Sequence, residues 1–207
     1  LTTRLDKVAD PDHEAFMGVG AFNLVRADTL RDSHGFEHIR MEIADDFGLA
    51  MLVNQVDGRT GAAYAPHALD LEWYPSLGAM IRGLRKNSFA VMCRFSYLRA
   101  AAMVLTGLFF VLGPFAGIAL GVARPELANW AWLSSGLAFS TLAMQAVFYA
   151  HIWERPLLAQ LILPVGQLLT LWTIVRSAGH YWRTGGVEWR GTHYDLDELR
   201  SNQKVVI

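Results

Sequence analysis

The sequence is short of cysteine and of charge. Its single cysteine, Cys93, excludes an intramolecular disulfide. Charged residues make up 18% of the 207 residues, whereas soluble domains contain roughly a quarter. The net charge of −1 argues against nucleic acid as a partner. Zinc-ligand clusters, internal repeats, low-complexity tracts and a signal-peptide pattern are also missing, which excludes zinc modules and repeat proteins.

Charge is missing above all from two long apolar runs. Residues 100–123 and 127–150 contain no charged residue, and each run is long enough to cross about 30 Å of hydrocarbon. A third run, 157–175, contains two glutamines and is interrupted by Pro164. We predict two spanning helices and a third segment that either spans the membrane or is re-entrant.

A basic amphipathic stretch precedes the first apolar run. Residues 76–99 combine apolar side chains at helical spacing with the cations Arg82, Arg85 and Lys86, a pattern typical of a helix on an anionic membrane surface. Positive charge here predicts a cytoplasmic location. Residues 177–207 are rich in arginine too, so three full crossings conflict with the charge pattern and a re-entrant third run resolves the conflict.

Two adjacent carboxylates, Asp45 and Asp46, lie in a stretch (37–53) whose periodicity predicts one helix. Asp46 falls near the apolar face, where a carboxylate is costly unless it is paired or functional. Neighbouring carboxylates repel each other, which favours the proton uptake that a general base requires. The structural alternative is a pair that caps a helix or forms a salt bridge, with Arg40 or Arg59 as possible partners.

A glycine-containing apolar stretch, 18–26, predicts a short buried strand whose backbone is closely approached. It lacks the strand–turn–helix context of a dinucleotide-binding fingerprint. Residues 62–66 and 69–74 predict two more short strands. These strands and the predicted helix between them indicate the trailing edge of an α/β domain.

The C-terminal residues predict a small hairpin or extended segment around Gly185-Gly186, then a short helix capped by Asp195 or Asp197. We therefore divide the chain into four segments. These are an α/β part (1–75), an interfacial helix (76–99), transmembrane helices (100–176) and an interfacial or cytoplasmic tail (177–207).

Four motifs, taken in order, resemble membrane-bound glycosyltransferases of family 2, closest to the ceramide glucosyltransferase-like and hopanoid-associated branch. They are the glycine stretch at 18–26, the block from Gly35-Phe36 through Asp45-Asp46 to Leu49-Ala50, the basic Arg82-Gly83-Leu84-Arg85-Lys86, and the tail Trp189-Arg190-Gly191-Thr192-His193-Tyr194. The resemblance implies the C-terminal part of a GT-A-like α/β domain followed by two to three transmembrane helices.

The resemblance also implies an activity. A hexosyltransferase of this type moves a sugar from a nucleotide-sugar donor to a hydroxyl of a lipid or glycan acceptor, with inversion. It implies Asp46 as the general base, with Asp45 setting its environment. Donor-diphosphate binding would fall to Arg82, Arg85 and Lys86, and acceptor binding to Gly20, Ala21, Phe22 and Asn23.

Three departures from the family pattern stand out. Asp45 replaces the usual Glu, His34 replaces the first glycine of a Gly-Gly pair, and Lys86 replaces a Trp. The nucleotide-binding half is also missing, so we expect it to precede Leu1 and this chain alone to be inactive. Its metal-binding Asp-x-Asp would hold the Mg²⁺ or Mn²⁺ expected in the full-length enzyme, with no metal ligand in these 207 residues.

Two other functions stay open at this point. The chain could be a non-catalytic membrane anchor that binds a partner, with Asp45 and Asp46 purely structural. A small transporter is the third alternative, although the apolar runs contain no ionisable residue of the kind that marks a transport pathway. For all three we expect an integral membrane protein in contact with membrane lipids. For the enzyme we expect the bacterial inner membrane, with the catalytic part facing the cytoplasm.

Overall fold

The structure is a computed structural model that describes residues 8, 15–63, 71–152, 156–189 and 191–205. The described residues are mostly helical and divide into two compact units. The first unit combines Leu1–Tyr97 with Arg176–Ile207, and the second is Leu98–Val175. The chain therefore leaves the first unit after Tyr97 and returns to it at Arg176. The four-segment division made from the sequence stays a prediction.

The first unit begins with short helices. Helix α1 is Ala27–Asp32, a 3-10 turn follows at Phe36–Ile39, and α2 is Asp45–Asn54. Helix α3, Leu77–Asn87, is capped by the Ser76 hydroxyl, which accepts a hydrogen bond from the Ala79 N–H. Such a cap typically contributes about 1 kcal/mol.

The second unit contains most of the apolar helices, and the last part of α6 lies in the first unit. Helix α4 is Tyr97–Ala123, α5 is Ala128–Ile152, and α6 is Leu163–Thr184, preceded by a 3-10 stretch at Leu157–Ile162. Among the described residues, three helices are thus long and apolar enough to cross a membrane. Many of their large apolar side chains are exposed, as lipid-facing residues would be. The length and composition of these helices support the expectation of a membrane protein.

The C-terminal elements belong to the first unit. Strands β1 (Gly186–Trp189) and β2 (Thr192–Asp195) pair antiparallel, with Val187 opposite Tyr194. Helix α7, Leu196–Asn202, follows, and the Asp195 carboxylate caps it by accepting from the Asp197 N–H. The predicted hairpin and cap are confirmed.

The predicted α/β character of the first part is not confirmed. Within the described residues the sheet is the β1–β2 hairpin alone. Residues 18–26, predicted as a strand, form an extended stretch with a turn, and neither 62–63 nor 71–74 is in a strand. The remainder of those two predicted strands lies at 64–70, outside the described residues.

The single helix predicted over 37–53 is also wrong. A 3-10 turn ends at Ile39, and α2 begins only at Asp45. Between them Glu42 is only 3% exposed, and Ile43 and Ala44 are buried as well. Three consecutive inward residues are incompatible with one amphipathic helix, whose buried positions recur every three or four residues.

The predicted interfacial helix at 76–99 is likewise interrupted. After α3 the backbone forms a π-turn at Ser88–Met92, and Arg94 and Phe95 adopt φ of 51° and 54°. Non-glycine residues rarely adopt this conformation. It is held by burial: Phe89 and Phe95 are at most 1% exposed and pack against Tyr181, with ring centroids 5.4 and 5.7 Å away.

The end of the chain closes the core of the first part. Val205 is 2% exposed and packs in one cluster with Ile39, Met51 and Leu52. The Glu42 carboxylate accepts hydrogen bonds from the backbone N–H groups of Lys204 (2.9 Å) and Val205 (3.0 Å). The Lys204 ammonium donates to the His38 carbonyl at 2.6 Å. A buried carboxylate is thereby satisfied by residues more than 160 positions away.

Removing the Glu42 side chain should release the tail. Glu42→Ala leaves the buried Val205 N–H and the part-buried Lys204 N–H without this acceptor, at a cost of about 1–3 kcal/mol for the buried group, whereas Glu42→Gln keeps an acceptor oxygen. We expect trypsin to cleave after Lys204 at least tenfold faster in Glu42→Ala than in Glu42→Gln, as followed by intact mass. Equal rates in the two variants would contradict this role.

The same carboxylate should make stability depend on pH. Burial raises the pKa of Glu42 above its ordinary value, although the tail N–H groups act in the opposite direction. The folded state therefore binds the proton more tightly than the unfolded state, so the contribution of Glu42 to stability falls as pH rises from about 4.5 through the raised pKa. Thermal unfolding in detergent should show this loss in the wild type and a flatter profile in Glu42→Gln.

Candidate functional site

The aspartate pair occupies the first turn of α2. Asp45 is exposed and Asp46 is half-buried, and the Asp46 Oδ1 accepts a hydrogen bond from the Phe47 N–H at 2.9 Å. Acidic residues in the first turn of a helix interact favourably with the positive end of the helix dipole, which stabilises the helix by about 0.3–1 kcal/mol each. Both residues therefore have a structural role whatever else they do.

The salt-bridge interpretation of this pair is not supported. Arg40 lies 3.9 Å from Glu37, in an exposed i,i+3 pair, rather than beside either aspartate. In the part of the chain that the structure describes, no salt bridge involves Asp45 or Asp46. The Asp46 Oδ2 is thus not held by a cation there.

The glycines of the 18–26 stretch lie directly against Asp46. A Cβ placed on Gly18 would be 1.8 Å from the Asp46 carbonyl oxygen, which is physically impossible, so the two backbones touch. A Cβ on Gly20 would be 3.3 Å from the Asp46 Oδ2. The close backbone approach that the glycines predicted is therefore present, and the surface that approaches them is the start of α2.

A groove of about 750 Å³ is lined by residues that neighbour this contact in sequence, although Gly18, Gly20 and Asp46 themselves are not among its lining residues. Ala21, Phe22 and Asn23 form part of one wall, and Leu49, Ala50 and Val53 of α2 form part of the other. Leu49, Ala50 and Val53 stand three, four and seven positions after Asp46, so all lie on the same face of α2 as Asp46. The remaining lining residues are Met17, Val19, Leu24, Val25, Arg26, Thr29 and 58–63. We call this surface the α2 groove.

The Asn23 side chain fixes the wall that carries it. Its Oδ1 accepts from the Val19 N–H at 3.1 Å, and its Nδ2 donates to the Val19 carbonyl at 2.8 Å. The Phe22 N–H closes the same turn on the Val19 carbonyl at 3.2 Å. Phe22 itself is 60% exposed. Asn23 therefore shapes the groove, while direct contact of Asn23 with an acceptor stays a prediction.

The predicted phosphate-binding cations lie on α3. The Lys86 Nζ sits 4.0 Å from the centroid of the Trp189 ring on β1, a cation–π distance. The carbonyls of Arg85 and Lys86 accept hydrogen bonds from the hydroxyls of Ser177 and Tyr181 on α6. The end of α3 is thus fixed by α6 and the hairpin.

Two parts of the predicted site lie on different helices, Asp46 on α2 and the cations on α3. Among the described contacts none joins the α3 cations to Asp46.

In the described part of the chain, no three His, Cys, Asp or Glu side chains are grouped so that they could hold a metal ion. No chemical step is therefore assigned to a metal held by these residues.

Two important residues were missed from the sequence. Glu42 stands beside the aspartate pair, but its partners are at the far end of the chain. Trp189 belongs to the tail motif of the sequence, but its cation–π contact with Lys86 depends on the register of the hairpin. The apolar–polar–apolar order of Val187, Glu188 and Trp189 is a local signal that could have drawn attention to Trp189.

Comparisons do not assign the chain to a family. No family model matches it, and neither a curated protein nor a solved structure matches it. Functional interpretation therefore rests on the residues of this chain.

The contact between Gly18 and α2 gives a stability prediction. Gly18→Ala forces Cβ into the Asp46 carbonyl, and such overpacking costs about 1–3 kcal/mol. Gly61→Ala is the matched control, because a Cβ there meets nothing within 4 Å. We expect a lower thermal unfolding midpoint for Gly18→Ala alone. A wild-type midpoint for Gly18→Ala would show that the two backbones are not in contact.

Proposed function

We propose that this chain is the C-terminal part of an inverting glycosyltransferase that transfers a sugar from a nucleotide donor to a hydroxyl at the membrane. The observation that carries the proposal is the position of Asp46. Its carboxylate has no cationic partner among the described residues, faces Gly20, and shares a helix face with one wall of the α2 groove. The proposal includes a donor-binding half that this sequence does not contain.

In the proposed reaction the acceptor oxygen attacks the anomeric carbon of the donor sugar. The new glycosidic bond forms as the bond from that carbon to the diphosphate breaks, so the configuration inverts. Asp46 takes the acceptor's hydroxyl proton, and the nucleoside diphosphate leaves with the bonding electron pair. A positioned base of this kind contributes about 10²–10⁴ to the rate.

The shape of the α2 groove supports an acceptor site. Gly20 leaves room above the carboxylate, because any side chain there would crowd the Asp46 Oδ2. The walls are largely apolar, and Phe22 and Leu24 are 60% and 87% exposed. Exposed apolar side chains beside a groove favour a ligand with an apolar portion. We therefore place a lipid acceptor ahead of a free glycan.

The cations of α3 would oppose the charge that develops on the leaving diphosphate. Arg82, Arg85 and Lys86 carry this role in the proposal, and Trp189 would hold the Lys86 ammonium in place. Mg²⁺ or Mn²⁺ is expected in the full-length enzyme, with ligands outside these 207 residues. Three apolar helices fit a membrane location, and we propose the cytoplasmic face of the bacterial inner membrane.

The direct test is Asp46→Asn in the full-length enzyme, assayed in membranes with a panel of nucleotide sugars and a lipid extract. The amide keeps the shape of the carboxylate but cannot accept the proton. We expect transfer to fall by about 10²–10⁴, with an unchanged thermal unfolding midpoint to within a few degrees.

Asp45→Asn is the matched comparison, because it removes a charge from the same helix turn and changes only the environment of the proposed base. We expect this variant to retain transfer within tenfold of the wild type. Near-normal turnover by Asp46→Asn would overturn the assignment of the base. No transfer by the wild-type enzyme with any donor would instead favour the non-catalytic anchor.

A further inference from the structure

The chain leaves the first unit after Tyr97 and returns to it at Arg176, at the end of the third apolar run. The first unit contains residues on both sides of the 98–175 segment, and specific contacts hold them together. Ser177 and Tyr181 bind the carbonyls at the end of α3. Arg200 donates to the Phe95 carbonyl at 2.7 Å, and Val205 packs in the core around α2. The two flanks of 98–175 therefore stay on the same side of any membrane that this segment enters.

This constraint fixes the parity of the crossings. A segment that starts and ends on one side of a bilayer crosses it an even number of times. Three helices nevertheless satisfy the length and hydropathy requirements for spanning. At least one of the three therefore does not cross completely, and the lengths of the three segments point to the shortest one.

Helices α4 and α5 have the length to cross. They contain 27 and 25 residues, which is about 40 and 37 Å at 1.5 Å per residue. Both exceed the hydrocarbon thickness of about 30 Å. Helix α4 also continues through Pro114 without a break in its helical assignment.

Helix α6 has fewer residues available to cross the bilayer, because part of it belongs to the first unit. Its last nine residues belong to the first unit, where Tyr181 is fully buried and the Ser177 hydroxyl also accepts from the Phe89 N–H at 2.9 Å. The part left in the second unit, 163–175, is about 20 Å long as a helix. This α-helical part alone falls short of the hydrocarbon thickness by a third. The 3-10 stretch before it, Leu157–Ile162, adds about 12 Å, so the segment 157–175 is still the shortest of the three.

The residues just before α6 are apolar and exposed. Leu158, Leu161 and Ile162 lie in the 3-10 stretch and are 79%, 76% and 67% exposed. Pro164 stands at the second position of α6, where the missing N–H costs no helical hydrogen bond. Such a stretch is suited to acyl chains, and a helix that starts there begins inside a leaflet rather than at the far surface.

We propose that 157–175 is a re-entrant segment that enters and leaves the bilayer through the leaflet nearest the first unit, with Leu158, Leu161 and Ile162 against the acyl chains. Helices α4 and α5 then make the two complete crossings. The arginines before α4 and those after α6 share one side, as the charge pattern of cytoplasmic segments requires.

Cysteine labelling in intact cells tests this arrangement in the full-length protein. Cys93 is buried and its pKa is raised by burial, and Cys93→Ala removes it from the background. Single cysteines are then placed at Gln55→Cys in the first unit, Ser201→Cys in α7 and Glu126→Cys between α4 and α5. A membrane-impermeant maleimide is added before or after lysis.

We expect Gln55→Cys and Ser201→Cys to behave alike, with at least tenfold more labelling after lysis, and Glu126→Cys to label fully in intact cells. Labelling of Ser201→Cys and Gln55→Cys from opposite sides would overturn the proposal. A reporter fused to the C-terminus of the otherwise unchanged protein gives the same reading if a cysteine variant fails to fold. A reporter on the same side as Glu126 would be equally contradictory.

Discussion

The closure of the tail on Glu42 is the constraint on which the rest of the first unit depends. One buried carboxylate accepts the backbone N–H groups of Lys204 and Val205, and burial of Val205 in the core adds apolar contact. A charge with so little exposure is tolerated only when hydrogen bonds satisfy it. The non-helical residues between the 3-10 turn and α2, which point Glu42 inward, follow from the same contact.

This closure links the candidate site to the membrane helices. Because α2 starts directly after the buried Glu42, Ile43 and Ala44, Asp46 is positioned at a fixed helix start against Gly18 and Gly20. Because the tail is tied down, α6 must return to the unit from which α4 departs. The proposed base and the proposed re-entrant segment thus depend on one set of long-range contacts, although each has its own test.

Local signals predicted much of this structure. The apolar runs, the hairpin and the Asp195 cap each depend on residues near in sequence, and all three are present within a few positions of the prediction. The single helix over 37–53 failed because the partner of Glu42 is 163 positions away. The prediction of one uninterrupted helix over 76–99 failed for a similar reason. The turn at Arg94 and Phe95 depends on the Tyr181 ring, which packs against Phe95 from α6. The glycines did indicate a close approach, but not which element approaches.

Hydrogen exchange of the Lys204 and Val205 amides, measured at single-residue resolution in the full-length protein in lipid nanodiscs, tests the central claim most directly. Amides bonded to a buried acceptor exchange only when the structure opens. The closure of the tail on Glu42 predicts that both amides are protected to the same extent as that of Leu52, which lies in the same core. Exchange of the Lys204 and Val205 amides at the rate of a free chain end, while Leu52 stays protected, would contradict it.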